Sequence, residues 1–398
     1  MKWDQDKFFR RDAMFDVSNK NNESTNSGGC AMHGVSGKNI NPDDLIGDAM
    51  HGVSGKNINP DDLIGDAMHG VSTGAGFIES WKSGQQSFTL QTSGSTGKPK
   101  KIRVSRQSMI RSAELTGQAL NLKKGDTALL CMPLEFVAGK MMLVRAMVLD
   151  LNLVTVKPSS NPLTQVDDNM QIDFAAMTPM QVKETLKDSL SAKKLRNIKK
   201  LIIGGAPVSL QLEQELQQMP GEIYETYGMT ETLTHIALRK INGENRSEFF
   251  QALTGIKIQT DERGCLVIHA PHLDQPLVIT NDLVDVVDDG SFRWLGRADN
   301  VINSGGIKIF SEQVERKLQH IITEQRFIIT SLPDEKLGQK VVLVIEDSTP
   351  RNYENSSRLI NQILDHYEKP RETFFLKKFP ETPAGKIKRN EIQAMIVE

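Results

Sequence analysis

Short apolar runs alternate with amphipathic stretches through the middle of the chain. Residues 87–91, 128–132, 153–156, 174–176 and 201–203 read as strands, and 106–120, 138–149, 180–190 and 210–218 as helices between them. Alternation at this spacing predicts parallel βαβ units, hence an α/β sheet with helices on both faces. After Thr230 the pattern changes to short strands with glycine turns such as Asp289-Gly290, which predicts a small β-rich subdomain. Beyond Asp299 it changes again, to a compact unit with helices near 311–318 and 356–366. The expected fold class is α/β: a large N-terminal domain of layered α/β sheets with a small β-rich subdomain, then a small α+β C-terminal domain.

Upstream of this pattern lies a repeat. Residues 31–48 recur letter for letter at 49–66, and a partial third copy covers 67–72. Solenoid repeats drift in sequence and come in threes or more, so two perfect copies point to a duplication in the coding DNA. His33, His51 and His69 recur only because the unit does. The reading is a flexible, non-catalytic extension over 1–72, a main domain over 73–298 and a C-terminal domain over 299–398.

Composition narrows the function classes. Lys plus Arg is 48 against 50 for Asp plus Glu, a net charge of −2, which argues against nucleic acid or acidic membrane as the partner. Cys30, Cys131 and Cys265 form neither a disulfide framework nor a metal-ligand spacing. The most apolar stretch, 141–156, is broken by Arg145 and Asp150 and is not a membrane span. With no apolar secretion signal at the N-terminus, the expectation is a cytoplasmic protein without membrane insertion. Its oligomeric state is not readable.

The chemistry is carried by five segments. Thr92, Ser93, Gly94, Ser95, Thr96, Gly97 and Lys98, with Pro99 and Lys100 behind them, follow a strand. Such a loop turns backbone amides, hydroxyls and lysines toward an oxyanion, although its spacing is not that of a Walker A loop. Gly204, Gly205 and Ala206 follow another strand and let a flat group approach the backbone. Tyr227, Gly228, Thr230 and Glu231 offer an aromatic face, a hydroxyl and a carboxylate able to hold Mg²⁺. Asp282 and Arg297 suit a ribose diol or a phosphate, and Lys386 lies on a Pro/Gly-rich loop near the C-terminus.

In this order the segments resemble the adenylate-forming superfamily of acyl-CoA synthetases, luciferases and peptide-synthetase adenylation domains, over about residues 87 to 392. The resemblance implies that the loop from Thr92 holds the β- and γ-phosphates of ATP and that Tyr227 stacks on adenine beside Gly204–Ala206. It implies that Thr230 meets the α-phosphate, that Glu231 binds Mg²⁺, and that Asp282 and Arg297 hold the ribose. Lys386 would bridge the substrate carboxylate and the α-phosphate as the acyl-adenylate forms. Asp299 matches the hinge of a mobile C-terminal domain, whose rotation brings up Ser304, Gly305 and Gly306 to pass the pantetheine arm of CoA.

Residues 132–145 and 227–239 are similar to the short o-succinylbenzoate-CoA ligases of menaquinone synthesis. That acid is an aromatic keto-diacid, so its pocket needs a cation for the carboxylate that does not react. Lys140 and Arg145 are the candidates, with His235 over the acyl group. Two readings stand beside this one: an adenylation enzyme for another aryl acid or for loading a carrier protein, and a catalytically silent nucleotide-binding protein. The chain departs from full-length members in the short segment before the phosphate loop. It also carries Glu135-Phe136 where many relatives place a pocket histidine.

Overall fold

The computed structural model of the protein describes residues 57–58, 72–91, 101–288, 290–347, 353–381 and 387–397. Five strands, Asn152–Thr155, Thr127–Leu130, Phe174–Met177, Lys200–Ile203 and Glu222–Gly228, lie side by side in that order and run parallel. Thr127–Leu130, Phe174–Met177 and Lys200–Ile203, in the middle, are apolar almost throughout because both faces are covered. Ala128, Leu130, Phe174 and Ile202 enter one core with Phe77, Met109, Met141 and Leu143. Their neighbours Leu129, Ala175, Leu201 and Ile203 enter a second core with Val182, Leu195 and Leu212. The two-residue period of the strands thus builds a helix–sheet–helix layering.

The chain leaves Thr127–Leu130 to one side and returns to Phe174–Met177 on the other, which makes a topological switch point between these strands. From Glu222–Gly228 onward every neighbour is antiparallel: His235–Lys240, Phe250–Ala252, Ser291–Arg297, Leu277–Asp288, Cys265–His269 and finally Lys257–Thr260. These strands form the β-rich part expected after Thr230. At the opposite edge Asn57 and Ile58 pair with Val154 and Leu153.

A second sheet begins at Val301–Ser304, pairs it with Ile307–Phe310 and Gly338–Glu346, and adds Phe327–Asp334 and Glu372–Leu376. Its core joins Ile302, Ile329 and Leu343 to Val314 and Leu318 of the helix Ser311–Leu318. That helix also touches the large sheet, because Gln313 donates to the carbonyls of Trp294 and Leu295. Arg316 lies 3.5 Å from Glu213. Glu213 shares the buried Arg239 with Glu225, at 2.9 and 2.7 Å.

Two local readings need correction. The helix expected over 180–190 is two, Pro179–Lys187 and Ser189–Arg196, because the Asp188 carboxylate accepts from the Ser191 amide and starts a new helix. A helix over Ser72–Lys82 was not foreseen. Trp81 anchors it, stacked on Phe88 at 5.5 Å and covered by the Arg106 guanidinium at 4.0 Å.

Candidate active site

Two of the five segments leave the carboxyl ends of adjacent parallel strands, the edge at which open α/β sheets bind ligands. Gly204, Gly205 and Ala206 follow Lys200–Ile203; Gly205 and Ala206 are exposed, and a methyl group added to Gly205 would meet nothing within 4 Å. Tyr227 and Gly228 close the next strand. Tyr227 packs edge-on against Phe292 and Phe250, with ring centroids 5.1 and 5.8 Å away, and its hydroxyl donates to Asp282 Oδ2 at 2.6 Å. Burial and the Asp282 charge push the Tyr227 phenol pKa up, so it stays a donor. Arg297 donates to the other Asp282 oxygen at 3.4 Å and to Asp299 at 3.2 Å. Residues chosen separately for a base and for a ribose therefore form one hydrogen-bonded group.

Gly228 sits at a bulge against His235–Lys240. A Cβ there would lie 2.3 Å from the Thr234 carbonyl oxygen and 2.5 Å from His235 Cα, both backbone atoms that cannot swing aside. Gly228→Ala must open this hairpin, at a cost of about 1–3 kcal/mol. Chemical denaturation should show that loss.

Thr230 and Glu231 follow in a short turn, with Glu231 exposed. Next comes Leu233, buried, with φ 64° and ψ −52°. The Thr234 amide donates to the Thr232 carbonyl at 2.7 Å across it, a γ-turn of the strained kind. Strain of this sort collects where a side chain must be aimed, and here it lies between Glu231 and His235.

His235 and Arg145 meet inside the domain through Thr116. Arg145 Nε donates to Thr116 Oγ1 at 3.3 Å, His235 Nε2 lies 3.3 Å from the same oxygen, and Thr116 gives its own proton to the Ser112 carbonyl at 3.0 Å. A hydroxyl has one proton, so His235 Nε2 carries its own and leaves Nδ1 as an acceptor. Burial, reinforced by Arg145, pushes the imidazole down to about 3, and burial alone pushes the guanidinium down to about 10. At neutral pH the pair is a neutral ring beside a cation. Among the described residues no carboxylate pairs with Arg145. Lys140 stands apart from them, its ammonium 3.3 Å from the Glu135 carbonyl, with its pKa lowered by burial.

Thr92, Ser93, Gly94, Ser95, Thr96, Gly97, Lys98 and Lys386 lie outside the described residues. Their flanks are placed. Gln91 pairs with Lys101 across the ends of the first segment, and Glu381 pairs with Ile387 across the ends of the second.

Ser304 closes the strand Val301–Ser304, and Gly305 and Gly306, with φ 60° and 83°, make the two-residue turn to Ile307. Beside it opens a cavity of about 200 Å³ lined by Ser304, Gly305, His366, Tyr367, Lys369 and Arg371 among others. The last four were not foreseen from sequence, where Lys369 and Arg371 look like any solvated cations. Thr116 was missed as well, since a helical threonine gives no signal of the two groups it joins.

Among the described residues no helix is long and apolar enough to cross a membrane. Residues 72–266 match the family described as AMP-binding enzyme. The 2-succinylbenzoate–CoA ligase of Lactococcus lactis subsp. lactis is 22% identical over 321 residues, covering 76% of this chain and 70% of that protein. An acyl-CoA synthetase (AMP-forming)/AMP-acid ligase II-like protein from Dyadobacter fermentans is 38% identical with TM-score 0.59, covering 86% of this chain and all of that one. The o-succinylbenzoate–coenzyme A synthetase of Bacillus subtilis, solved with ATP and magnesium ion, shares the fold with TM-score 0.65 at 19% identity, over 76% of this chain and 69% of that one.

Proposed function

The chain belongs to the AMP-binding enzymes as an adenylate-forming acyl-CoA ligase, and we propose that the acid it activates is o-succinylbenzoate. The observation that supports this acid is the buried Arg145, a retained cation without a carboxylate partner among the described residues, held by Thr116 beside the neutral His235. A diacid with one reacting carboxylate supplies the missing charge, whereas a plain fatty or aryl acid would leave it unpaired. The names of the curated relatives point the same way.

In this reading ATP lies along the carboxyl edge of the parallel strands. The segment Thr92–Lys98 holds its outer phosphates, Gly204, Gly205 and Ala206 face the base, and Tyr227, Asp282 and Arg297 take the base and ribose. Gly228 keeps the backbone close beneath them. Thr230 reaches the α-phosphate. Glu231 is exposed and suited to Mg²⁺, which is commonly held by one or two carboxylates plus substrate phosphates. Bound there, the ion would neutralise phosphate charge; the described residues contain no group of three potential ligands that would hold a metal on its own.

Lys386 stabilises the charge that gathers as the acid's carboxylate oxygen attacks the α-phosphorus and pyrophosphate leaves. The unit from Asp299 then turns, and Ser304, Gly305 and Gly306 admit the CoA thiol, which attacks the acyl carbon and expels AMP.

The test is acid-dependent ATP–pyrophosphate exchange with o-succinylbenzoate, benzoate and a fatty acid, with and without CoA. Exchange with o-succinylbenzoate, and thioester only when CoA is present, is the expected result; exchange confined to another acid would discard this substrate. The unforeseen cations sharpen the CoA half. Lys369→Ala and Arg371→Ala should each raise KM for CoA about three- to tenfold, the effect of removing one contact to an ionised phosphate, and leave pyrophosphate exchange unchanged.

A further inference from the structure

We propose that Asn281 and Arg263 are positioning residues that hold the hinge carboxylate Asp299 and so restrain the turning of the C-terminal unit, an inference that rests on the hinge reading above. Asp299 lies in the turn Ala298–Asn300, between the last strand of the large sheet and the first of the second. Arg297 holds it from its own strand, at 3.2 Å. The neighbouring strand supplies Asn281, whose amide reaches both Asp299 oxygens at 3.4 and 3.3 Å.

Asn281 is itself oriented. Arg263 donates to its side-chain oxygen at 2.9 Å, which fixes the amide with its NH₂ toward Asp299. Arg263 also donates to the Thr280 carbonyl at 3.1 Å and to Asp261 Oδ2 at 2.9 Å. Asp261 in turn accepts from the amides of Arg263 and Cys265, both at 2.9 Å, so the series is rooted in backbone. At its far end Arg297 divides its guanidinium between Asp299 and Asp282, and Asp282 accepts from Tyr227. The charged members alternate in sign, Asp261, Arg263, Asp299, Arg297 and Asp282, with the Asn281 amide relaying between Arg263 and Asp299, so each member lowers the electrostatic cost of the next. Restraint of the hinge and the groups assigned to the nucleotide therefore draw on the same arginine.

These contacts are exposed or half-buried, so each is weak alone and salt-sensitive. The experiment reads the hinge directly. Nitroxide labels on cysteines placed at the exposed Lys257 and Lys336, with Cys30 changed to Ser, report the distance between the two sheets by electron spin resonance, with no turnover required. The wild-type chain should give one dominant distance at low salt. Asn281→Ala and the exposed Arg263→Ala should each add a second population, 0.5 M salt should do the same to the wild type, and Asn281→Gln should restore the wild-type profile.

In the coupled reaction Asn281→Ala should change the ratio of adenylation to thioester formation by about threefold, the scale of an exposed charged contact. Identical distance profiles in wild type and both alanine variants would overturn the proposal. Failure to activate any acid would instead strike the ligase reading and leave the distance measurement standing.

Discussion

Lys386→Ala is expected to lower acyl-adenylate formation by about 10²- to 10³-fold, the scale of removing one preorganised donor from a transition state. Thioester formation from supplied acyl-adenylate should stay within a few-fold of wild type, because in the proposed cycle the second half-reaction uses the Gly305-Gly306 turn rather than the lysine. The flanks of the lysine segment are firmly built. Lys388 donates its amide to the Pro380 carbonyl at 2.9 Å, Glu381 pairs with Ile387, and Arg326 binds both Glu381 and Glu346. With both flanks held in this way, the substitution removes a charge and should not disturb folding. Rapid-quench measurement of the two half-reactions checks this; an equal loss in both would show that Lys386 does not have the assigned role.

The second large effect concerns Arg145, where activity and stability should move in opposite directions. Arg145→Met keeps the length and shape of the side chain and removes the buried cation. Removing one partner of a buried charge pair costs about 2–5 kcal/mol, so kcat/KM for o-succinylbenzoate should fall at least about thirtyfold, while residual activity with benzoate should be unaffected. The unliganded protein should melt at the same temperature or higher, since it no longer buries a charge with only a hydroxyl for partner. A large loss of melting temperature would mean that the guanidinium serves the fold rather than the acid.

How much of this could be read beforehand depends on how local each signal is. The parallel strands are legible because burial on both faces leaves continuous apolar runs, as in Leu-Ile-Ile before Gly204. The helix Ser72–Lys82 is not, since Gly74 and Gly76 hide it and it depends on Trp81 meeting Phe88 and Arg106. The break at Asp188 was visible only as one capping residue inside an otherwise helical run. Arg145 and His235 could each be suspected from their surroundings. Their shared contact with Thr116 could not, because it joins a helix to a strand more than a hundred residues away. The link from Tyr227 to Asp282 has the same origin, since it arises from strands brought together across the sheet.

The buried arginine Arg239 has a consequence for how the two sheets hold together. With the helix Ser311–Leu318 in place, Glu213 and Glu225 face Arg239 and Arg316, two negative charges against two positive. If that helix withdraws, Arg316 goes with it and leaves two carboxylates to share one guanidinium, a local charge of −1 in a poorly hydrated place. Detachment is then accompanied by the uptake of a cation from solution. Added salt should loosen the contact and low salt tighten it, so that part of the molecule's freedom is set by the solution around it.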